Sequence, residues 1–167
     1  MFELRPVEAA DAQAVRDFEL ANRAYFARFI TDRGDAFFAH FDDSWATVLA
    51  LHQAGVCLFH VLTTETGEVV GRFNLLEVED RTANVGYRLA ESVTGRGIAT
   101  ATVRELCRRA ETRYHLRTLN AAAADENVAS QKVLTKSGFT VTGPAAPAEL
   151  GNKPGKWFRR TLGPAGR

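Results

Sequence analysis

Apolar residues along this chain recur with two different spacings, which alternate from one end of the sequence to the other. Stretches with apolar residues three and four positions apart predict helices with one apolar face. They cover residues 9–21, 37–55, 98–114 and 127–136. Short apolar or alternating runs between turn residues predict strands. They cover residues 2–5, 56–64, 69–77, 83–90, 117–124, 139–142 and 157–162.

The order of these elements predicts an α/β fold of the mixed α+β kind. Three consecutive strands joined by short turns, at 56–64, 69–77 and 83–90, must be antiparallel neighbours. The long helix after them leads to the strand at 117–124, and such a crossover makes a parallel pair. We therefore expect a mixed, mostly antiparallel sheet of about seven strands, with about four helices covering both faces.

Composition narrows the class of protein. A length of 167 residues suits one domain, which we place at 1–163, with a flexible tail at 164–167. The formal net charge of +1 argues against a general nucleic-acid binder. Cys57 and Cys107 lie in apolar segments without metal-type spacing, which predicts buried, reduced thiols. No apolar run approaches the roughly 18 residues of a membrane span, so we expect a cytoplasmic protein.

The most informative segment is a glycine-rich loop after the strand that ends Gly86-Tyr87-Arg88-Leu89-Ala90. Gly95 and Gly97, one residue apart, expose successive backbone N–H groups at the start of a helix, which favours a phosphate. The Gly-Lys-Ser/Thr of a P-loop is missing, and Thr100 stands where a dinucleotide fingerprint needs glycine. The loop predicts a phosphorylated cofactor of another kind.

A second string runs from Asn127 to Phe139 and reads Asn-x-x-Ser-x-x-Val-Leu-x-Lys-x-Gly-Phe. Taken alone it predicts a helix with Asn127 as its N-cap and Gly138 at its C-terminal end. Ser130 is then an exposed helical serine.

Together the two strings resemble a known family. Gly97-x-Ala99 resembles the acetyl-CoA pyrophosphate loop of the GNAT superfamily of N-acetyltransferases, although Thr94 stands where the family has Gln or Arg. The string from Asn127 is similar to the matching helix of the ribosomal-protein N-terminal acetyltransferases, a GNAT subgroup. The order of elements also resembles the GNAT fold across nearly the whole chain.

This resemblance implies an N-acetyltransferase that uses acetyl-CoA and acetylates a primary amine, first of all a protein or peptide N-terminal α-amine. One alternative is a small-molecule amine such as an amino acid, a polyamine or an aminoglycoside. Another is a non-catalytic acyl-CoA-binding domain. We expect a monomer or homodimer that uses no metal and binds neither nucleic acid nor membrane.

The resemblance also implies which residues bind the cofactor, with Asn127 holding the pantetheine arm. The full set is Leu89, Ala90, Thr94, Gly95, Arg96, Gly97, Ile98, Ala99, Thr100, Asn127 and Ser130.

Acetyl transfer needs a neutral amine, hydrogen-bond donors for the developing oxyanion, and a proton for the leaving thiolate. The resemblance implies that a backbone N–H at or near Leu89 serves the oxyanion, and that the Ser130 hydroxyl lies beside the sulfur. It makes Glu149 the base, in the string Ala-Glu-Leu-Gly-Asn; without the resemblance, Glu149 is a solvated loop carboxylate. A glutamate suits an α-amine of pKa about 7.7–8.0 better than a lysine of about 10.4.

The acceptor side is expected to come from the connection at 22–35, with help from a loop at 143–155. The connection and the helix after it are rich in aromatic residues, most of which core packing explains. His60, in a strand, is an alternative base, although a satisfied or exposed strand histidine is the simpler interpretation.

Overall fold

The computed structural model describes residues 1–163, so the tail predicted at 164–167 lies outside the described residues. The described part contains seven strands: β1 (Glu3–Pro6), β2 (Leu58–Thr63), β3 (Val69–Glu79), β4 (Thr82–Leu89), β5 (Thr118–Ala124), β6 (Thr140–Ala145) and β7 (Gly155–Thr161). It contains six α-helices: α1 (Ala12–Ala21), α2 (Arg23–Phe26), α3 (Asp35–Ala39), α4 (Phe41–Ala54), α5 (Ile98–Thr112) and α6 (Val128–Lys136). Short 3-10 turns cover Ala9–Asp11, Glu91–Val93 and Pro147–Leu150.

All seven strands form one sheet in the order β1-β2-β3-β4-β5-β7-β6. Every neighbouring pair is antiparallel except β4 and β5, which are parallel. The predicted mixed, mostly antiparallel sheet with one parallel pair is confirmed.

The parallel pair is short. Only Thr82–Asn84 of β4 pairs with Thr118–Asn120 of β5. Beyond that point β4 continues to Leu89 against β3, and β5 continues to Ala124 against β7. The two strands therefore diverge, and a gap opens in the middle of the sheet.

Helices pack on both faces of the sheet, as expected. Arg72 of β3 bonds Glu19 of α1, so α1 covers the face on which even-numbered β3 side chains lie. Phe73 points to the opposite face. His60, the register partner of Phe73, meets Tyr114 just beyond the end of α5. Helix α5 therefore covers the second face.

The helix predicted at 37–55 is divided in two. His40 has φ −113° and ψ 30°, outside the helical region, and separates α3 from α4. A further short helix, α2, lies in the connection that the sequence left unassigned. The described residues thus contain six α-helices where about four were expected.

The loop predicted at 143–155 is shorter in the structure, because its first three residues belong to β6 and its last begins β7. Strand β6 continues through Pro144 to Ala145, and it pairs with β7, which begins at Gly155. A proline is tolerated because β6 is the edge strand and has no neighbour on its outer side. Only the short segment between the two strands, which includes the 3-10 turn, remains irregular.

One apolar core fills the space between sheet and helices. Its fully buried apolar residues include Phe73, Leu75, Leu106, Leu119 and Leu134. Cys57 and Cys107 are buried and unbridged, as predicted.

Candidate active site

The gap between β4 and β5 opens into a cavity of about 480 Å³. Three parts of the chain line it: the end of β4 with the glycine-rich loop and the start of α5, the first turns of α6, and α2 with the residues after it. The last part contributes Tyr25, Phe26, Phe29 and Ile30. The connection at 22–35 therefore does reach the site.

Most of the predicted cofactor-binding residues come together in this lining. They are Leu89, Thr94, Gly95, Gly97, Ile98, Ala99, Thr100, Asn127 and Ser130. Ala90 and Arg96 lie outside the lining. Ala90 is buried and donates its N–H to the Val70 carbonyl oxygen at 2.8 Å. The Arg96 guanidinium donates to the Ser92 carbonyl oxygen at 3.2 Å.

The glycine-rich loop has the geometry of an anion cradle. Gly95 and Gly97 have φ of +76° and +75°, and a Cβ atom at either would meet no heavy atom within 4 Å. The N–H groups of Ile98–Thr100 find no hydrogen-bond acceptor within residues 1–163. Free donors at the positive end of α5, beside open space, fit a pyrophosphate.

Side chains outside the cradle fix this loop. The Thr94 hydroxyl donates to the Glu91 carbonyl oxygen at 2.8 Å. The Glu91 N–H in turn donates to the Asn22 side-chain oxygen at 3.1 Å. Thr94 therefore braces the backbone of the loop, where the family pattern has a longer Gln or Arg.

Two lysines that the sequence reasoning did not single out line the same cavity. Lys132 and Lys136 are four residues apart and therefore share one face of α6. Their positive charges lie on the wall that also carries Asn127 and Ser130. The Lys-x-x-x-Lys spacing next to those two residues was the signal that could have found them.

Asn127 is the predicted N-cap of α6. Its side-chain oxygen accepts a hydrogen bond from the Ser130 N–H at 3.1 Å, and its amide NH2 group remains as a donor at the cavity wall. Gly138, with φ +88°, follows the last residues of the helix, as predicted. Capping and ligand binding are compatible at Asn127 because they use different atoms.

Ser130 has an unexpected neighbour in Tyr87. Burial raises the pKa of the Tyr87 hydroxyl, and a hydrogen-bonding interaction with the Ser130 side chain acts in the opposite direction. The Tyr87 ring is stacked on Phe73, with centroids 5.3 Å apart and planes 4° from parallel. The Tyr87 ring is thus packed against the core near Ser130, and its raised pKa keeps the hydroxyl protonated at neutral pH. The sequence reasoning gave Tyr87 no role.

The backbone of Leu89 faces the gap. The next N–H, that of Ala90, bonds to Val70 on β3. Because successive N–H groups of a strand point to opposite sides, the Leu89 N–H points away from β3, toward β5. At that level β5 is no longer paired with β4. Among residues 1–163, the Leu89 N–H is therefore left as a free backbone donor in the gap.

A buried ionic cluster borders the cavity. Glu19 is 2% exposed, and its carboxylate accepts hydrogen bonds from Arg72 at 2.8 Å and from Arg88 at 2.9 Å. Arg88 also lines the cavity. Nothing local in the sequence marks this cluster, because the contacts join residues 53 and 69 positions apart.

Two candidate bases lie elsewhere. Glu149 is exposed on the Pro147–Leu150 turn, outside the residues that line the cavity. His60 is fully buried, and desolvation lowers its pKa to about 4. The structure places His60 in the core and not at the cavity, which argues against its role as the base.

Metal-binding clusters and membrane-spanning helices are both missing from residues 1–163. These residues hold no group of three or more His, Cys, Asp or Glu side chains arranged to bind a metal ion. None of their helices is both long enough and apolar enough to cross a membrane.

Comparison with known proteins gives a family match over most of the chain. Residues 2–140 match the family described as the acetyltransferase (GNAT) domain. The uncharacterized N-acetyltransferase p20 of Bacillus licheniformis is 32% identical over 87 residues, which is 51% of this chain and 49% of that protein. The match therefore spans about half the length of that relative.

Solved structures are similar over nearly the whole chain. The ribosomal-protein-S5-alanine acetyltransferase from Vibrio fischeri superimposes with a TM-score of 0.88 at 20% identity, covering 96% of this chain and 92% of that one. Mycobacterium smegmatis RimJ in complex with CoA-disulfide gives a TM-score of 0.84 at 27% identity, covering 96% and 82%.

Proposed function

Because the chain belongs to the GNAT acetyltransferase family and is an N-acetyltransferase, we propose that it uses acetyl-CoA to acetylate a primary amine, first of all a protein or peptide N-terminal α-amine. The observation that carries the proposal is the gap between β4 and β5, with the glycine cradle at one side and Ser130 at the other. The similarity to the CoA-bound RimJ structure supports the same donor.

The residues present fit the cofactor. The N–H groups of Ile98–Thr100 would hold the pyrophosphate, and Lys132 and Lys136 add positive charge near it. The side-chain NH2 of Asn127 would bind an amide oxygen of the pantetheine arm. Bound acetyl-CoA supplies the acetyl group as an activated thioester.

Two groups of the chain serve the chemistry at the gap. The Leu89 N–H is the donor available to an oxygen that gains negative charge there, and such a donor typically changes the rate by about 10²–10³-fold. The Ser130 hydroxyl holds a proton at the cavity wall, and Tyr87, protonated at neutral pH, can replace it. Ser130 and Tyr87 would thus form a short proton relay toward the leaving group.

The attacking amine also needs a group that accepts its proton. We propose Glu149 for this role, acting through water because its side chain is exposed on the turn after β6. An α-amine of pKa about 7.7–8.0 is already partly neutral at physiological pH, so a weak base suffices. If Glu149→Gln leaves the pH–rate profile the same as that of the exposed-loop control Glu68→Gln, Glu149 is not the base.

The test begins with thermal unfolding in the presence of acetyl-CoA, CoA, ATP or NAD. A ligand that binds only the folded state raises the melting temperature, by several degrees at about 100 times its Kd. We expect shifts with acetyl-CoA and CoA alone, followed by thiol release with α-amine peptides. A shift with ATP or NAD contradicts the cofactor assignment. Binding of CoA without thiol release over a broad amine panel identifies a non-catalytic acyl-CoA-binding domain.

A further inference from the structure

A second, shallow cleft adjoins the cavity on the side of α2. The two share Phe26, Ile30 and Arg88 in their lining. The cleft itself is bordered by charged side chains, among them Glu19 and Arg33. It lies on the sheet face that α1 covers, because Glu19 of α1 and Arg88 of β4 both line it.

The carboxylates around this cleft are already engaged. Asp32 accepts hydrogen bonds from Arg23 at 3.0 and 2.8 Å, and Asp35 lies 2.9 Å from the same guanidinium. On the other side, the single carboxylate of Glu19 is shared by Arg72 and Arg88. One negative charge between two guanidinium groups leaves a positive excess at the end of the cleft that meets the cavity.

Arg88 is held in place with donors to spare. Its Nη1 donates to Glu19, and its guanidinium carbon lies 5.4 Å from the centroid of the Phe26 ring. Within residues 1–163, its Nε and Nη2 atoms have no hydrogen-bond acceptor. Its side chain is 21% exposed, so those donors can reach a ligand.

Arg33 adds another cation to the same cleft. Within the part of the chain that the structure describes, its guanidinium forms no ion pair and rests over the Phe37 ring, 4.8 Å from the centroid. Arg33 is exposed as a residue, but partial desolvation and then the charge of Arg88 lower its pKa to about 10. It is still protonated at neutral pH, and an anion between the two arginines would relieve the repulsion.

We propose that Arg88 and Arg33 bind a carboxylate that the acceptor carries a few bonds from its reacting amine. Arg88 directly precedes Leu89 on β4 and lines the same cavity, so an anion bound at its guanidinium lies beside the gap in which the Leu89 N–H stands. The inference rests on the proposed function and narrows its acceptor class. It favours an amino acid with a free α-carboxylate or a peptide with an acidic side chain next to its N-terminus, and it disfavours polyamines.

Pairs of acceptors that differ only in a carboxylate and its neutral amide test whether the negative charge matters. Ala-Asp-Gly amide is compared with Ala-Asn-Gly amide, and free alanine with alaninamide, so that the two sources of a carboxylate are examined separately. We expect a kcat/KM ratio of about tenfold or more in favour of the acid in at least one pair, the usual effect of a charge-assisted hydrogen bond. Equal use of both members of each pair, or preference for the neutral members, overturns the proposal.

Substitutions at Arg88 and Arg33 show whether these two residues cause the preference for acidic acceptors. In Arg88→Gln and in Arg33→Gln the ratio should fall to within about twofold of unity, because each change removes one of the two cations. The control Arg117→Gln, at an exposed arginine before β5, should keep the wild-type ratio. A ratio unchanged in both Arg88→Gln and Arg33→Gln contradicts the assignment even if acids are preferred.

Binding is measured separately from turnover, so that the two proposals fail in different ways. Acetyl-Ala-Asp-Gly amide, which has no reacting amine, is titrated calorimetrically into the CoA-saturated protein. If the peptide binds the wild type but not Arg88→Gln, the anion site is supported. This holds even if no amine is acetylated, because absence of acetylation rejects only the proposed function. No binding to the wild type rejects the anion site even if amines are acetylated.

Discussion

The Nε2 atom of His60 lies 2.8 Å from the Tyr114 hydroxyl oxygen, in a part of the core where His60 is 0% exposed. Its other ring nitrogen, Nδ1, has no hydrogen-bond partner among the described residues. Burial, followed by the charge of Arg109, lowers the pKa of His60 from 6.5 to about 4. The core therefore admits this ring only in its neutral form.

This burial predicts a loss of stability in mild acid. Between pH 6.5 and about 4 the unfolded chain binds a proton that the folded chain excludes, so stability is complete above pH 6.5 and falls as the pH is lowered through that window. The loss from His60 reaches roughly 3 kcal/mol at pH 4. Urea unfolding across the window should show a shallower pH dependence in His60→Leu than in the wild type, and no change in the exposed control His40→Gln. Equal slopes in His60→Leu and wild type would contradict the prediction.

Removing the negative charge of Glu19 should lower the free energy of unfolding more than removing an exposed negative charge. Glu19→Gln leaves Arg72 and Arg88 without their shared carboxylate, and breaking a buried ion pair in this way costs about 3–5 kcal/mol. Denaturant unfolding at pH 7 measures the loss. The exposed Glu3→Gln should change the free energy of unfolding by no more than about 0.5 kcal/mol. Comparable losses in the two variants would show that the cluster contributes no more than a surface charge.

A methyl group at Gly155 has no room. It would overlap the side chain of Leu150 and the carbonyl oxygen of Ala123, because β7 begins where the turn after β6 packs onto β5. Gly155→Ala should lower the free energy of unfolding by about 1–3 kcal/mol or more. Gly143→Ala, also in a strand but with open space at its Cβ, is the matched control and should be nearly neutral.

Substitutions at Gly95 and Gly97 should lower CoA affinity as well as folding stability, whereas a comparable glycine elsewhere should affect stability alone. Gly95→Ala and Gly97→Ala force a side chain into a left-handed conformation, which costs about 1 kcal/mol of stability. They also put a methyl group where the pyrophosphate is expected, so we expect CoA affinity measured by calorimetry to fall about tenfold or more. Gly67→Ala, in the hairpin between β2 and β3, has the same kind of φ and open space and should lose stability alone. Unchanged affinity in both loop variants would remove the cradle from the cofactor site.

Ser130 and Tyr87 should act as one unit. Ser130→Ala and Tyr87→Phe are each expected to lower kcat by about 10²-fold, with a smaller change in CoA affinity, since the main role proposed for both hydroxyls is proton transfer. If Tyr87 acts only through Ser130, the double variant is no slower than Ser130→Ala alone. Losses that multiply would show that the two hydroxyls work independently.

The parts of the site that sequence predicted are governed by local rules. Gly95 and Gly97 adopt positive φ, and Asn127 caps α6, because these preferences depend on a few neighbouring residues. The glycine loop and the capped helix are therefore predictable from the residues within and beside them.

What sequence could not predict depends on distant contacts. Arg72 and Arg88 meet Glu19 only because the register of β3 and β4 brings them under α1. The extension of β6 to Ala145 likewise depends on its pairing with β7, and no periodicity within the segment shows it. The charge around the proposed acceptor cleft therefore depends on the folded sheet and cannot be predicted from any one segment of the chain.

Three residue pairs between β4 and β5 are the sole ladder joining the first four strands to the last three in the described sheet. The walls of the cavity belong to both parts, with the cradle following β4 and α6 following β5. A ligand bound in the cavity would contact both halves of the sheet, where β4 and β5 no longer pair with each other. The free energy of ligand binding then adds to the free energy of unfolding, and release of the ligand weakens the contact between the two halves of the sheet.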